Sequence, residues 1–176
     1  MLTPKVHILQ NGILAGYRVV EIDFTRGVMI RRIKAGELLE QIQAVGEAKY
    51  LYLKLSHGNL QDKALPKLTD KLAALNMQIY ASIASNTVEG LAAIIHALSG
   101  VELNFTNIKS QEIERICLLA ATRELQLNLS WEQTPELDSF LPLFAQLRLA
   151  NINLYLPDLD NVGKLPDNVR AYIKQL

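Results

Sequence analysis

The stretch YLYLKLSHGNLQDKAL, residues 50–65, decides the fold. Leu51, Leu53 and Leu55 alternate with Tyr50, Tyr52 and Lys54, which is the period-2 pattern of a strand with one apolar and one polar face. The alternation stops at Ser56-His57-Gly58-Asn59, and the apolar residues that follow fall at helical spacing. Such a junction either presents a loop to a ligand or lets a helix begin. Gly58 and Asn59 suit a turn. His57 has no histidine or cysteine at paired spacing, so the junction reads as a turn.

The same strand pattern recurs. Met77, Ile79, Ala81 and Ile83 alternate with Gln78, Tyr80 and Ser82; Val101, Leu103 and Phe105 with Glu102, Asn104 and Thr106. Leu125, Leu127 and Leu129 alternate with Gln126, Asn128 and Ser130; Ile152, Leu154 and Leu156 with Asn153 and Tyr155. Strands starting at Leu51, Met77, Val101, Leu125 and Ile152 repeat with a period of about 25 residues. Helical patterns fill the gaps. The first starts near Pro66, a residue suited to early helical positions, and carries Leu65, Leu68, Leu72 and Leu75 on one face. The second starts at Asn86 or Thr87, carries Val88, Leu91, Ile94, Ile95 and Leu98, and is expected to stop at Gly100 as a left-handed cap. The third opens at Ser110 as N-cap, with Glu112 in its first turn, and buries Ile113, Ile116, Cys117 and Ala120. The fourth opens at Thr134-Pro135-Glu136, and Pro142 either kinks it or marks its start.

Repeated strand–helix units imply parallel strands joined by right-handed crossovers. Parallel strands covered on both faces are apolar almost throughout. These alternate, so the helices are expected on one face only. The predicted fold class is therefore α/β: about five strand–helix units forming a curved parallel sheet, either a horseshoe or an open partial barrel. A closed eight-stranded barrel needs about 250 residues. The first third differs. Val6–Leu9, Tyr17–Phe24 and Val28–Ile33 read as short strands, with hairpin signals at Asn11-Gly12 and Thr25-Arg26-Gly27. Residues 1–34 are thus expected to form an N-terminal β-meander that caps the edge of a repeat-like domain spanning 35–176, which begins with a helix at Glu37–Val45. Residues 157–167 read as loop and 169–176 as a last short helix.

The quoted stretch resembles one unit of a leucine-rich repeat of the long, helix-containing kind. Leu53-x-Leu55 matches that family's strand, and Leu60, Asp62, Ala64, Leu68 and Leu72 fall at its downstream spacings. The family's loop asparagine falls at Gly58 here, and Asn59 is one residue late. The match is good over residues 51–75 and loose over four further units. LKLSHGNLQDKAL also resembles the strand, turn and helix of the partial (βα) barrel of radical-SAM activating enzymes. There a glycine-rich turn binds the cofactor's methionine group. That family's three-cysteine motif is absent, since Cys117 is the only cysteine. This resemblance therefore implies a member without cluster chemistry.

Composition narrows the function classes. At 49% hydrophobic and 20% charged residues the chain is globular, and its zero formal net charge argues against whole-surface attraction to nucleic acid or anionic membrane. No apolar run approaches the roughly 18 residues of a membrane span. One cysteine fits a reducing compartment, so a cytoplasmic location is expected. No cofactor or metal is expected. His7, His57 and His96 lie far apart, and Asp158–Gly163 places Val162 and Val169 where calcium needs oxygen ligands. Cys117 sits on an apolar helical stripe, and no nucleophile elbow or phosphate loop is present. Arg31, Arg32 and Lys34 form the only basic cluster and read as a solvated strand end.

What remains is the polar strand face. Tyr52, Lys54, Tyr80, Glu102, Asn104, Asn128 and Tyr155 are expected to converge there, along with Asp23 and Ser130. His57, Asn59 and Trp131 join them in loops at the strands' carboxyl ends, where parallel α/β units bind ligands; Asn86, Asn107 and Asp158 fall at similar positions. Two functions follow. One is a non-catalytic binding or scaffold domain that recognises a protein partner, or sits in a larger complex, through this face and the strand-end loops, tyrosine bringing contact area at low entropic cost. The other is a partial-barrel enzyme or small-ligand-binding domain, with Lys54 and Glu102 as an interior pair.

Overall fold

Among the described residues eight strands form one sheet in chain order, β1 to β8. The computed structural model describes residues 3–9, 17–84, 89–104, 111, 115, 118–119, 126–130, 152–155 and 173–174. Strand β1 (Lys5–Ile8) pairs antiparallel with β2 (Val19–Asp23). From β2 onward every pairing is parallel: β3 (Tyr50–Ser56), β4 (Gln78–Ala84), β5 (Gly100–Asn104), β6 (Gln126–Ser130), β7 (Ile152–Tyr155) and β8 (Ile173–Lys174). The sheet is open, and the predicted α/β class with a mostly parallel sheet holds. Four of the five predicted strand starts lie within one residue of the observed ones, and Ile152 coincides.

The helices lie on one side, as the alternation requires. They are α1 (Ala35–Val45), the short α2 (His57–Gln61), α3 (Leu65–Ala73) and α4 (Leu91–Ile94), the last running into a 3-10 turn at Ile95–Ala97. Leu38, Ile42, Leu65, Leu68, Leu72, Leu91 and Ile94 pack against Ile22, Leu51, Leu53, Leu55, Ile79, Ile83 and Val101 in a single core. A fully buried leucine or isoleucine side chain contributes about 1.5–3 kcal/mol, so this interface dominates stability. Thr69, buried within α3, donates its hydroxyl to the carbonyls of Leu65 and Pro66 and so leaves no unsatisfied group.

Three expectations need correction. Val28–Ile33 is not a strand. Both edges of β2 are occupied, by β1 and by β3, so this segment closes its backbone locally in a 3-10 turn at Ile30–Arg32. The N-terminal part is therefore a hairpin whose second strand begins the parallel array, rather than a three-stranded meander. Gly100 does not cap a helix; it opens β5 opposite Tyr80, and the preceding helix ends where the Leu98 amide bonds the Ile95 carbonyl. Ile173–Lys174 extends beside β7 where a helix was expected.

Gln111, Arg115, Leu118 and Leu119 are helical, with Leu119 against the core and Leu118 exposed. The Asn11-Gly12 turn, the Ser110 cap with its apolar face and Cys117, the Thr134–Pro142 helix and the Asp158–Gly163 turn lie outside the described residues. Among the described residues no helix is long and apolar enough to cross a membrane.

Candidate functional site: the inner face of the sheet

The strand face opposite the helices is built in rows, because residues in register on parallel neighbours lie side by side. The lowest row joins Val19, Tyr50 and Gln78. Above it stand Glu21, Tyr52, Tyr80 and Gly100, then Asp23, Lys54, Ser82 and Glu102. Backbone register continues that last row to Asn128 and Asn153.

Over β2 to β4 this face is buried rather than hydrated. Tyr52 is 6% exposed, Tyr80 4%, and Glu21 and Asp23 6% each. Val19, Tyr50, Tyr52 and Tyr80 form a second apolar cluster, separate from the helix-side core, with Leu9 packed against it. Tyr17 meets Tyr50 edge-on at 4.9 Å, and Tyr50 lies 6.1 Å from Tyr80. Aromatic rings thus plug the amino-terminal end of the inner face. Burial, with Tyr50 and Tyr17 nearby, raises the Tyr80 phenol above its ordinary pKa.

Above the plug the face is polar and each carboxylate is engaged. Tyr52 donates its hydroxyl to Glu102 Oε2, reaching across β4. His7 Nε2 lies 3.3 Å from Glu21 Oε1, its direct cross-strand neighbour. Asp23 Oδ1 accepts from the Thr25 amide at 2.9 Å and the Thr25 hydroxyl at 2.6 Å, and Arg26 lies 3.6 Å from Oδ2. These groups titrate in opposite directions. Burial raises Glu102 above its ordinary 4.5, outweighing the Tyr52 bond and the Lys54 charge, and Glu21 adds to the rise. Burial also acts to raise Asp23, but the Thr25 bonds and the charges of Lys54 and Arg26 hold it below 3.8. Burial and the Glu102 charge keep Tyr52 protonated well beyond the ordinary phenol range.

A stability difference with a defined sign follows. A carboxyl raised on folding binds protons more tightly in the native state, so it costs stability as pH rises above 4.5 through the folded value. Glu102→Gln, which can still accept from Tyr52, is expected to gain on the wild type across that window. Asp23 is lowered, so its contribution is present above 3.8 and lost as pH falls through the folded value. Asp23→Asn is expected to lose against wild type at neutral pH and to converge with it in acid. Urea titrations at several pH values check both; parallel pH profiles for all three proteins would refute the assignment.

Lys54 and Glu102 therefore share a row, as expected, and Lys54 is only partly buried. Asn128 stands opposite Glu102 in register, and Asn104 is followed by Ser130 and Tyr155. The side chains of Asn104, Asn128 and Tyr155 lie outside the described residues, as do Trp131, Asn86, Asn107 and Asp158 entirely. Asn59 is corrected: it is 4% exposed and serves the backbone. Its Oδ1 accepts from the Ser56 amide at 2.9 Å, its own amide donates to Ser56 Oγ, and its Nδ2 donates to the Val28 carbonyl at 3.2 Å. Ser56 and Asn59 thus form a capping box that starts α2. His57 is the first residue of α2 and is half-buried. Arg31 and Lys34 are exposed, but they flank a 3-10 turn and α1 rather than a strand end.

Glu21 and Ser82 join the inner face without having been singled out. The signal for Glu21 was present, since Val19, Glu21 and Asp23 alternate with Val20, Ile22 and Phe24. At the carboxyl ends of β2 and β3 a cleft of about 940 Å³ opens between Thr25, Gly27, Arg31, Ser56, Gly58 and Asp62. Among the described residues no group of three or more His, Cys, Asp or Glu side chains is arranged to hold a metal ion. No protein-family profile matches the chain, and no curated protein matches it in sequence.

Proposed function

We propose that the chain is a small-ligand-binding domain of open partial-barrel form, with its site on the inner sheet face around Lys54 and Glu102. The observation that carries this reading is the burial of Tyr52, Tyr80, Glu21 and Asp23 on the face away from the helices. A horseshoe leaves that face open to a protein partner; a barrel-like interior encloses it and suits a small molecule. The aromatic plug at the amino-terminal end leaves the carboxyl ends as the entrance, where ligands of parallel α/β units ordinarily sit. The cleft at the ends of β2 and β3 lies on that side. Of the two resemblances, the closed face favours the radical-SAM-like partial barrel, as a member without the cluster cysteines. The single cysteine favours a cytoplasmic setting.

Backbone-resolved NMR with a library of small polar compounds tests this. Shift changes should cluster at Asp23, Lys54, Ser82 and Glu102 and vanish in Lys54→Met at unchanged melting temperature. Changes confined to the helical surface, or none with any compound, would sink the reading.

A further inference from the structure

Lys54 is the one cationic side chain in the described row Asp23–Lys54–Ser82–Glu102. Its neighbours are already committed. Asp23 is held by Thr25 and Arg26, and Glu102 accepts from Tyr52. Among the described residues the Lys54 side chain has no hydrogen bond and no ion pair within 4 Å, although its charge acts on both carboxyls. It is partly exposed, so a small molecule reaches it. A lysine retained on an inner barrel face only to neutralise charge is expected to bond its carboxylates. Among the described residues this one bonds neither, with Asp23 on one side and Ser82 and then Glu102 on the other.

We propose that Lys54 is a Schiff-base nucleophile for a short, uncharged, hydroxylated carbonyl compound that enters from the carboxyl ends of the strands. The proposal rests on the inner face being a ligand site, and it names the chemistry of that site. The Lys54 ammonium gives one proton to solvent, and the resulting amine attacks the carbonyl carbon; a C–N bond forms as the C=O π bond breaks, its electron pair goes to the oxygen, and the oxygen takes up a proton from solvent. The carbinolamine hydroxyl then leaves as water with a second proton, and the nitrogen lone pair closes the C=N bond. Overall an ammonium and a carbonyl become an iminium and water, with charge unchanged and no oxidant or reductant involved.

The surroundings fit each stage. The cationic iminium keeps the position between Asp23 and Glu102 that the ammonium held. Glu102 is a carboxyl raised by burial and bonded by a tyrosine hydroxyl, and it suits holding and returning the proton that water departure needs. Asp23 and Glu102 in the row, with Glu21 in the row below, make this face a poor host for an anionic 2-oxo acid. Ser82, between Lys54 and Glu102 in the row, keeps oxygen lone pairs that can accept from the hydroxyl of a polyol.

The test uses the full chain with glycolaldehyde and cyanoborohydride, which fixes an imine as a stable secondary amine, followed by peptide mass mapping. Lys54 should be labelled in preference to the exposed Lys67 and Lys71, by roughly tenfold, and that preference should saturate with glycolaldehyde and vanish in urea. Glu102→Gln should slow Lys54 labelling about tenfold and flatten its pH profile, leaving Lys67 and Lys71 unchanged. Lys54→Arg should keep the fold and lose the preferred adduct. Labelling that merely follows solvent exposure, or that ignores Glu102→Gln, overturns the proposal. Pyruvate trapped in preference to glycolaldehyde overturns the uncharged class. If NMR shows saturable binding on this face without trapping, the nucleophile fails while the ligand site stands; no binding of any kind removes both.

Discussion

Gly90→Ala is expected to abolish stable folding, with a loss above about 4 kcal/mol, beyond the range of ordinary substitutions. Gly90 precedes α4 with φ at +90°, in the left-handed region that costs a residue with a Cβ roughly 1–2 kcal/mol. Space is the larger obstacle. A Cβ there would lie 2.0 Å from the Leu60 carbonyl oxygen and 2.7 Å from its carbon. That carbonyl belongs to α2, which the Ser56–Asn59 capping box and the Val28 bond hold in place. It cannot retreat as a flexible side chain would. Typical domains have about 5–15 kcal/mol in all, so most of the margin is consumed. Urea unfolding followed by circular dichroism measures this. Gly58→Ala and Gly36→Ala are the controls. A Cβ meets nothing closer than 3.9 Å at Gly58 and nothing within 4 Å at Gly36, and both sit in helices. Each should be neutral or stabilising by about 0.5–1 kcal/mol. A Gly90→Ala chain as stable as these controls would contradict the described approach of α2 to α4.

Asn59→Leu comes second, at about 3 kcal/mol. Leucine is close in size but takes no hydrogen bond, so it strands the Val28 carbonyl and leaves the Ser56 amide and hydroxyl without their acceptor. Each buried group left unsatisfied costs about 1–3 kcal/mol. Asn59→Asp is no rescue: it keeps an acceptor for Ser56 but loses the donor to Val28 and brings charge to a site 4% exposed. His57→Ala, two residues earlier, should cost much less, since the His57 Nδ1 atom has no hydrogen-bond partner. Thermal melts of the three variants separate structure from recognition. An Asn59→Leu protein that melted with wild type would return Asn59 to the list of candidate binding residues.

These two positions show where the sequence was readable and where it was not. Leu51, Leu53 and Leu55 announce a one-sided strand because side-chain alternation is a local property of extended backbone. The Leu65–Leu68–Leu72 stripe likewise announces α3. Gly90 carries no such mark. It sits inside an apolar helical pattern, and its need for glycine arises from Leu60, thirty residues earlier and brought close only by packing. Val28–Ile33 misled for a related reason. Its composition suits a strand, but strand formation needs a free edge, and β2 had none left. Tyr52 and Glu102 were legible as members of one polar face. That this face is buried over β2 to β4 was not, because alternation distinguishes two sides without saying which of them meets water.

The chain-order pairing of the eight strands has a consequence for folding speed. Each strand is bonded only to strands adjacent in sequence, so partners in the parallel part lie only 19 to 31 residues apart. Loop-closure entropy is lost in modest steps of similar size, and the sheet can grow from any unit outward. A mostly parallel sheet is ordinarily slow to form, because distant segments must meet before contacts reward them. Here the separation between partners stays short from end to end, and folding is expected to be faster than strand count alone suggests.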